Sequence, residues 1–204
     1  ALYDKLKAMS DKYLTQNVSA GLRFLNDGSS GYYTDTVTYS NMSSTQAFSV
    51  ATIFFFENPQ YYFYNDGIGY TDPIESYFWD ISEPGTVSLG VYSKYADGSS
   101  RRSYTQQYRN AIDSYIQGAS AYNNDLAKET YFHDTLASTV TYDQNTTDYN
   151  EDTTESQSAS SAFLMKNTVC AGFTKAFSLL LNSQGIENVG LTSDSHAWNE
   201  VKIN

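Results

Sequence analysis

A chain of 204 residues with 40% hydrophobic side chains carries enough apolar mass for one large core or two small ones. Its formal net charge of -11 repels nucleic acid and anionic membrane surfaces, which excludes both as main partners. The longest apolar burst, Ile53-Phe54-Phe55-Phe56, is far shorter than the roughly 18 residues a membrane-crossing helix needs, so no transmembrane helix is encoded.

Apolar residues at Leu2, Leu6, Met9, Tyr13, Leu14, Val18, Leu22 and Leu25 recur every three to four positions and predict an amphipathic helix over 2–25, stopped by Asn26-Asp27-Gly28. Ser43 or Ser44 caps a second helix that ends at Asn58-Pro59, where the residue before proline disfavours helical geometry. Tyr61-Tyr62-Phe63-Tyr64 reads as a strand. Segments 76–81 and 86–95 read as further strands, separated by Asp66-Gly67, Pro84-Gly85 and Asp97-Gly98 turns.

Helical spacing returns over 103–118 and 124–141. The acidic, polar stretch 143–160 has no apolar periodicity and reads as a surface loop. Asp143, Asp148, Glu151 and Asp152 within it could attract calcium, but they lack EF-hand spacing. After it come a short helix at 162–165, a longer one at 170–181 and strands at 189–192 and 197–203. The expected organisation is an N-terminal helix-and-strand region, 1–100, followed by a core, 101–204.

One cysteine excludes an internal disulfide framework. Cys170 sits where a polar stretch turns into a helix, and unpaired N–H groups at a helix start favour a thiolate. Gly172 leaves backbone room beside it. The base must come from His133, within a helix, or from His196, 26 residues beyond the thiol, where a helix, a turn and a strand can bring an imidazole back to the cysteine. Judged on these residues alone, a buried structural cysteine and a structural histidine compete with catalysis.

The run Val169-Cys170-Ala171-Gly172-Phe173, then Ala176-Phe177, Leu180-Leu181, Gly185-Ile186 and His196-Ala197-Trp198-Asn199-Glu200-Val201, resembles the transglutaminase-like family. "TYFHDTLASTVTYD", residues 130–143, is similar to the helix that family carries before its core, and "FFFENPQYYFY" more loosely resembles an N-terminal element of bacterial surface members. The resemblance implies Cys170 as nucleophile, His196 as general base and Trp198 as an aromatic packed near the site. Ala171 stands where the family usually has Gln. His133 and Asp134 fall at a helix position read as structural.

The family supplies its third catalytic residue, an Asp, on the strand after the histidine strand, and this sequence reaches Asn204 without it. A chain cut within that hairpin is the expectation. Asp194 lies in a turn, and Glu200 stands about 13 Å along the strand from His196, so neither replaces it.

The resemblance implies an α+β, papain-like transglutaminase core, with the nucleophile helix packed on an antiparallel sheet. It implies acyl transfer from peptide or protein amides through a thioester, to water or to an amine. The alternative is a noncatalytic cell-surface binding module, with Tyr61, Tyr62, Tyr64 and Tyr70 as a binding surface. No cofactor is implied, and one cysteine with two histidines cannot close a zinc site without carboxylates. The Tyr-rich, acidic, cysteine-poor composition fits a secreted or surface protein of a bacterium, and the expected partners are peptide or protein substrates such as those associated with the cell wall.

Overall fold

A computed structural model describes residues 1–24, 30–65, 79–82, 85–145, 155–193 and 195–203. These divide into two compact units, one of residues 1–55 and 63–105 and one of residues 56–62 and 106–204. The architecture is α+β.

In the first unit, α1 (Leu2–Thr15) buries Leu2, Leu6, Met9 and Tyr13, the apolar stripe read from the sequence. Removing each such side chain from water contributes about 1.5–3 kcal/mol. The helix is shorter than the spacing predicts. Gln16 turns extended, and the segment behind it spends its polar groups sideways: Ala20 N–H donates to the Ala96 carbonyl at 2.8 Å and the Ser19 hydroxyl accepts from Gly98 N–H at 3.0 Å. Gly21–Phe24 then forms β1 instead of continuing the helix. Asn26, Asp27 and Gly28 lie outside the described residues.

Strands β2 (Ser30–Tyr33), β3 (Val37–Thr38), β4 (Trp79–Ser82) and β5 (Thr86–Val91) complete an antiparallel sheet in which β5 pairs with β2, β3 and β4. The strand expected over 86–95 stops at Val91, because Ser93–Ala96 winds into the short helix α3. Gly85, at φ +69°, makes the preceding turn, and a Cβ there would collide with the Tyr39 carbonyl.

Helix α2 (Ser44–Glu57) starts from Ser43, whose hydroxyl accepts from Gln46 N–H at 3.2 Å while the Gln46 side chain accepts from Ser43 N–H at 2.8 Å. This is the reciprocal cap of a serine with a glutamine three residues on. Tyr61 to Tyr64 is not a strand: it forms turns with one isolated bridge, Tyr64 to Val91. All four of its aromatic rings are buried, where a half-exposed strand would alternate. Tyr61, Tyr62 and Tyr64 therefore belong to the interior and offer no binding surface; Tyr70 lies outside the described residues.

Helix α4 spans Gly98–Ala119, of which residues 98–105 belong to the first unit and 106–119 to the second. At its first turns Arg101 is buried. It donates to the carbonyls of Tyr13 at 3.1 Å, Tyr95 at 2.6 Å and Val18, with its guanidinium over the rings of Tyr13 and Phe63.

The second unit continues with α5 (Asp125–Thr139), started by the Asn124 side chain accepting from Ala127 N–H at 2.8 Å. A two-residue strand β6 (Thr141–Tyr142) pairs in parallel with β7 (Asn167–Thr168), a contact that no periodicity signalled. Between them, the described residues 155–160 depart from the expected surface loop. Glu155, Ser156, Ser158 and Ser160 are buried, and Ser158 and Ser160 share a hydrogen bond of 2.6 Å, with Ser160 donating to Glu155. Serine hydroxyls bonded to one another and to nearby carbonyls tolerate burial that their composition alone does not suggest. A π-helical turn, Ser161–Met165, ends at Lys166 in left-handed geometry.

Helix α6 (Cys170–Ser183) follows, closed by Gly185 at φ +71°. Its last feature is the antiparallel hairpin of β8 (Asn188–Thr192) and β9 (Ala197–Val201), with Thr192 opposite Ala197. Among the described residues no helix is long and apolar enough to cross a membrane.

Candidate active site

Cys170 is the first residue of the 14-residue α6 and is half-buried. The turn before it is held from the buried side. Val169 N–H donates to the Ser156 carbonyl at 3.1 Å, and the Thr168 hydroxyl donates to the same carbonyl at 2.7 Å while bonding Ser161 Oγ at 2.5 Å. Gly172 belongs to this buried side. A Cβ on it would lie 2.7 Å from the Ser156 carbonyl oxygen and 2.8 Å from that of Ser158, so the glycine lets α6 seat on the serine turn and does not open space beside the sulfur.

The loop of the β8–β9 hairpin presents His196, whose carbonyl accepts from Ser193 N–H at 2.8 Å to close the turn. Its exposed imidazole stacks on the Trp198 indole, with centroids 6.0 Å apart and planes 17° from parallel. Among the described residues neither ring nitrogen of His196 has a hydrogen-bond partner, and Glu200 makes no ion pair with it; Asp194 lies outside the described residues.

A cavity of about 410 Å3 joins these elements. Cys170, His196, Trp198 and Tyr142 all line it, with Phe173 and Phe177 on one wall and Leu136 of α5 on another. Both histidines open on it. His133, read from the sequence as structural, also faces this space. Its Nδ1 lies 3.0 Å from Asp134 Oδ1, and its ring meets that of Phe177 edge-on at 6.4 Å.

Tyr142 carries no mark in the sequence beyond its place near the end of "TYFHDTLASTVTYD". Its ring stacks on Phe173 at 6.5 Å, 15° from parallel. Tyr142 lines the same cavity as Cys170. Val169, the residue before the helix, provides no side-chain cap to the first turn of α6. Burial, and next the charge of the adjacent thiol group, push the Tyr142 hydroxyl above its ordinary range, with the backbone N–H pulling the other way.

Asn199 is the other residue whose position the motif alone did not explain. On β9 it lines the cavity and ties the strand to the middle of α6. Among the described residues no group of three or more His, Cys, Asp and Glu side chains converges as metal ligands do; Asp148, Glu151 and Asp152 lie outside them.

Residues 113–204 match the family model of the transglutaminase-like superfamily, so the resemblance carried by the cysteine and histidine motifs holds over that span. A solved structure, the crystal structure of a TGase, is similar over 62% of this chain at 18% sequence identity, with a TM-score of 0.43. The match spans 40% of that protein's length. No curated protein matches the chain.

Proposed function

We propose that the second unit carries out cysteine-dependent acyl transfer on peptide or protein amides, with Cys170 as nucleophile and His196 as general base. The observation that carries this reading is the shared cavity onto which a helix-start thiol and a hairpin-loop imidazole both open, within residues that match the superfamily model.

His196 takes the thiol proton, and the sulfur attacks the amide carbonyl carbon. The carbonyl π pair moves to oxygen, and the Cys170 backbone N–H is placed to receive the resulting charge. Collapse of the adduct breaks the C–N bond, His196 returns its proton to the departing amine, and a thioester remains. Water or a second amine then attacks the thioester while His196 accepts its proton, restoring the thiol. Stacking on Trp198 limits the imidazole to a small set of orientations, a role that a hydrogen-bonded partner otherwise fills. The apolar walls of Leu136, Phe173, Phe177 and Trp198 suit an acyl group flanked by apolar side chains. An acidic, tyrosine-rich chain with one cysteine also supports an extracellular or cell-surface setting.

The test is the rate of Cys170 alkylation by iodoacetamide at neutral pH. Replacement His196→Ala is expected to slow it by roughly tenfold, because the thiolate is the nucleophile and its partner is lost. Equal rates in the two proteins would refute the pairing.

A further inference from the structure

The cavity that holds Cys170 and His196 extends well beyond them. Its wall on α5 consists of Glu129, His133, Leu136 and Ala137, spaced i, i+4, i+7 and i+8, which is one face of a helix. Two ring contacts give the direction of that wall. Tyr142, just after α5, stacks on Phe173 near the thiol, and His133 meets Phe177 one turn further along α6, so α5 runs antiparallel to α6. Glu129 therefore lies at the end of the groove remote from the sulfur. At 1.5 Å per residue the stretch from Cys170 to Phe177 spans about 10 Å, and the turn from His133 back to Glu129 adds about 5 Å.

Among the described residues that line this groove Glu129 supplies the one carboxylate, and none is Lys or Arg. Glu129 is half-buried, makes no ion pair among the described residues, and accepts a side-chain hydrogen bond from the Thr130 hydroxyl at 3.3 Å. Its neighbours are otherwise engaged. His133 is bonded to Asp134 on its own helix, and Lys202, just past β9, pairs with Glu187 at 2.7 Å. An apolar track leading from a nucleophile to a carboxylate without a cation fits a side chain with a long methylene stem and a positive head.

We propose that Glu129 is a specificity-determining residue, which receives the ammonium or guanidinium of a lysine or arginine on the acyl-donor peptide, about two residues from the reacting carbonyl. The spacing follows from the groove. Two extended residues cover about 7 Å, and the basic side chain covers the rest. Leu136, Phe173 and Phe177, between the thiol and the acid, take the methylene stem while the charged head reaches the carboxylate. The net charge of -11 favours the same class of peptide at long range.

The inference rests on the acyl-transfer reading, and the two can fail separately. The probes are the p-nitrophenyl esters of N-acetyl-lysyl-alanyl-phenylalanine and N-acetyl-norleucyl-alanyl-phenylalanine, which carry the same stem and differ in the ammonium group. Thiolate attack forms the S–C bond of the thioester and expels p-nitrophenolate, whose absorbance reports acylation above that of Cys170→Ala. In the wild type kcat/KM for the lysyl ester is expected to be on the order of tenfold higher, the worth of a hydrogen bond to a charged group. Glu129→Gln keeps the side-chain size and is expected to abolish the preference, and Glu129→Lys to reverse it. Iodoacetamide, which is too short to span the groove, is expected to alkylate Cys170 equally fast in all three proteins.

Equal kcat/KM for the two esters in the wild type, or a preference that survives in Glu129→Gln, would overturn the role of Glu129 and leave acyl transfer standing. So would slower alkylation in Glu129→Gln, since the acid would then act on the thiol and not on the peptide. Nitrophenolate release no faster in the wild type than in Cys170→Ala would overturn both.

Discussion

The side-chain amide of Asn199 donates to the Thr174 carbonyl at 3.1 Å and to the Ser178 hydroxyl at 2.7 Å. The Thr174 hydroxyl in turn donates to the Cys170 carbonyl at 2.9 Å, so strand β9 is coupled through one turn of α6 to the nucleophile residue. The strand that begins beside His196 and the helix that begins at Cys170 are thereby held in register.

Replacing this tether has a defined outcome. Asn199→Leu fills the volume but removes both donors, leaving the partly buried Thr174 carbonyl without the side-chain bond. Unfolding in urea is expected to show a loss of roughly 1–3 kcal/mol. Unchanged stability would mean that packing alone positions the strand.

Gly172→Ala places a methyl group against the Ser156 and Ser158 carbonyls and into the Thr168 hydroxyl. Backbone atoms of a buried turn cannot move aside as a flexible side-chain end can. The expected cost is about 1–3 kcal/mol by thermal or urea unfolding. A variant as stable as the wild type would show that the serine turn yields.

In the first unit the vulnerable residue is Arg101, whose guanidinium supplies donors to the carbonyls of Tyr13, Val18 and Tyr95. Arg101→Leu leaves these carbonyls unsatisfied in the interior, each at a cost of about 1–3 kcal/mol. Arg101→Lys is expected to rescue only part, since an ammonium cannot match the planar fork. Circular dichroism melts of the two variants give the order: wild type, lysine, then leucine.

The elements legible in the sequence were those whose burial has a period. The stripe Leu2, Leu6, Met9 and Tyr13 marked α1, and Ser43 with Gln46 marked the start of α2. The motif names the thiol, the imidazole and the indole, and Cys170, His196 and Trp198 line one cavity. What stayed hidden depends on partners distant in the chain. The strand Gly21–Phe24 interrupts an apparent helical stripe because the preceding residues bond across to Ala96 and Gly98. The serines at 156–161 look solvated by composition and are buried by bonding to one another and to Thr168. Tyr142 carries no signal of its own in the sequence; only the parallel pairing of Thr141–Tyr142 with Asn167–Thr168 brings its ring to the start of α6.

The most direct measurement is intact-protein mass spectrometry of the chain mixed at neutral pH with p-nitrophenyl acetate, followed by peptide mapping. The wild type is expected to carry one acetyl group on Cys170 that disappears as water or an added amine takes it up, with none on Cys170→Ala and much slower acetylation of Cys170 in His196→Ala. A wild-type protein whose Cys170 acquires no acetyl group, or acquires it at the same rate without His196, would contradict acyl transfer through this thiol.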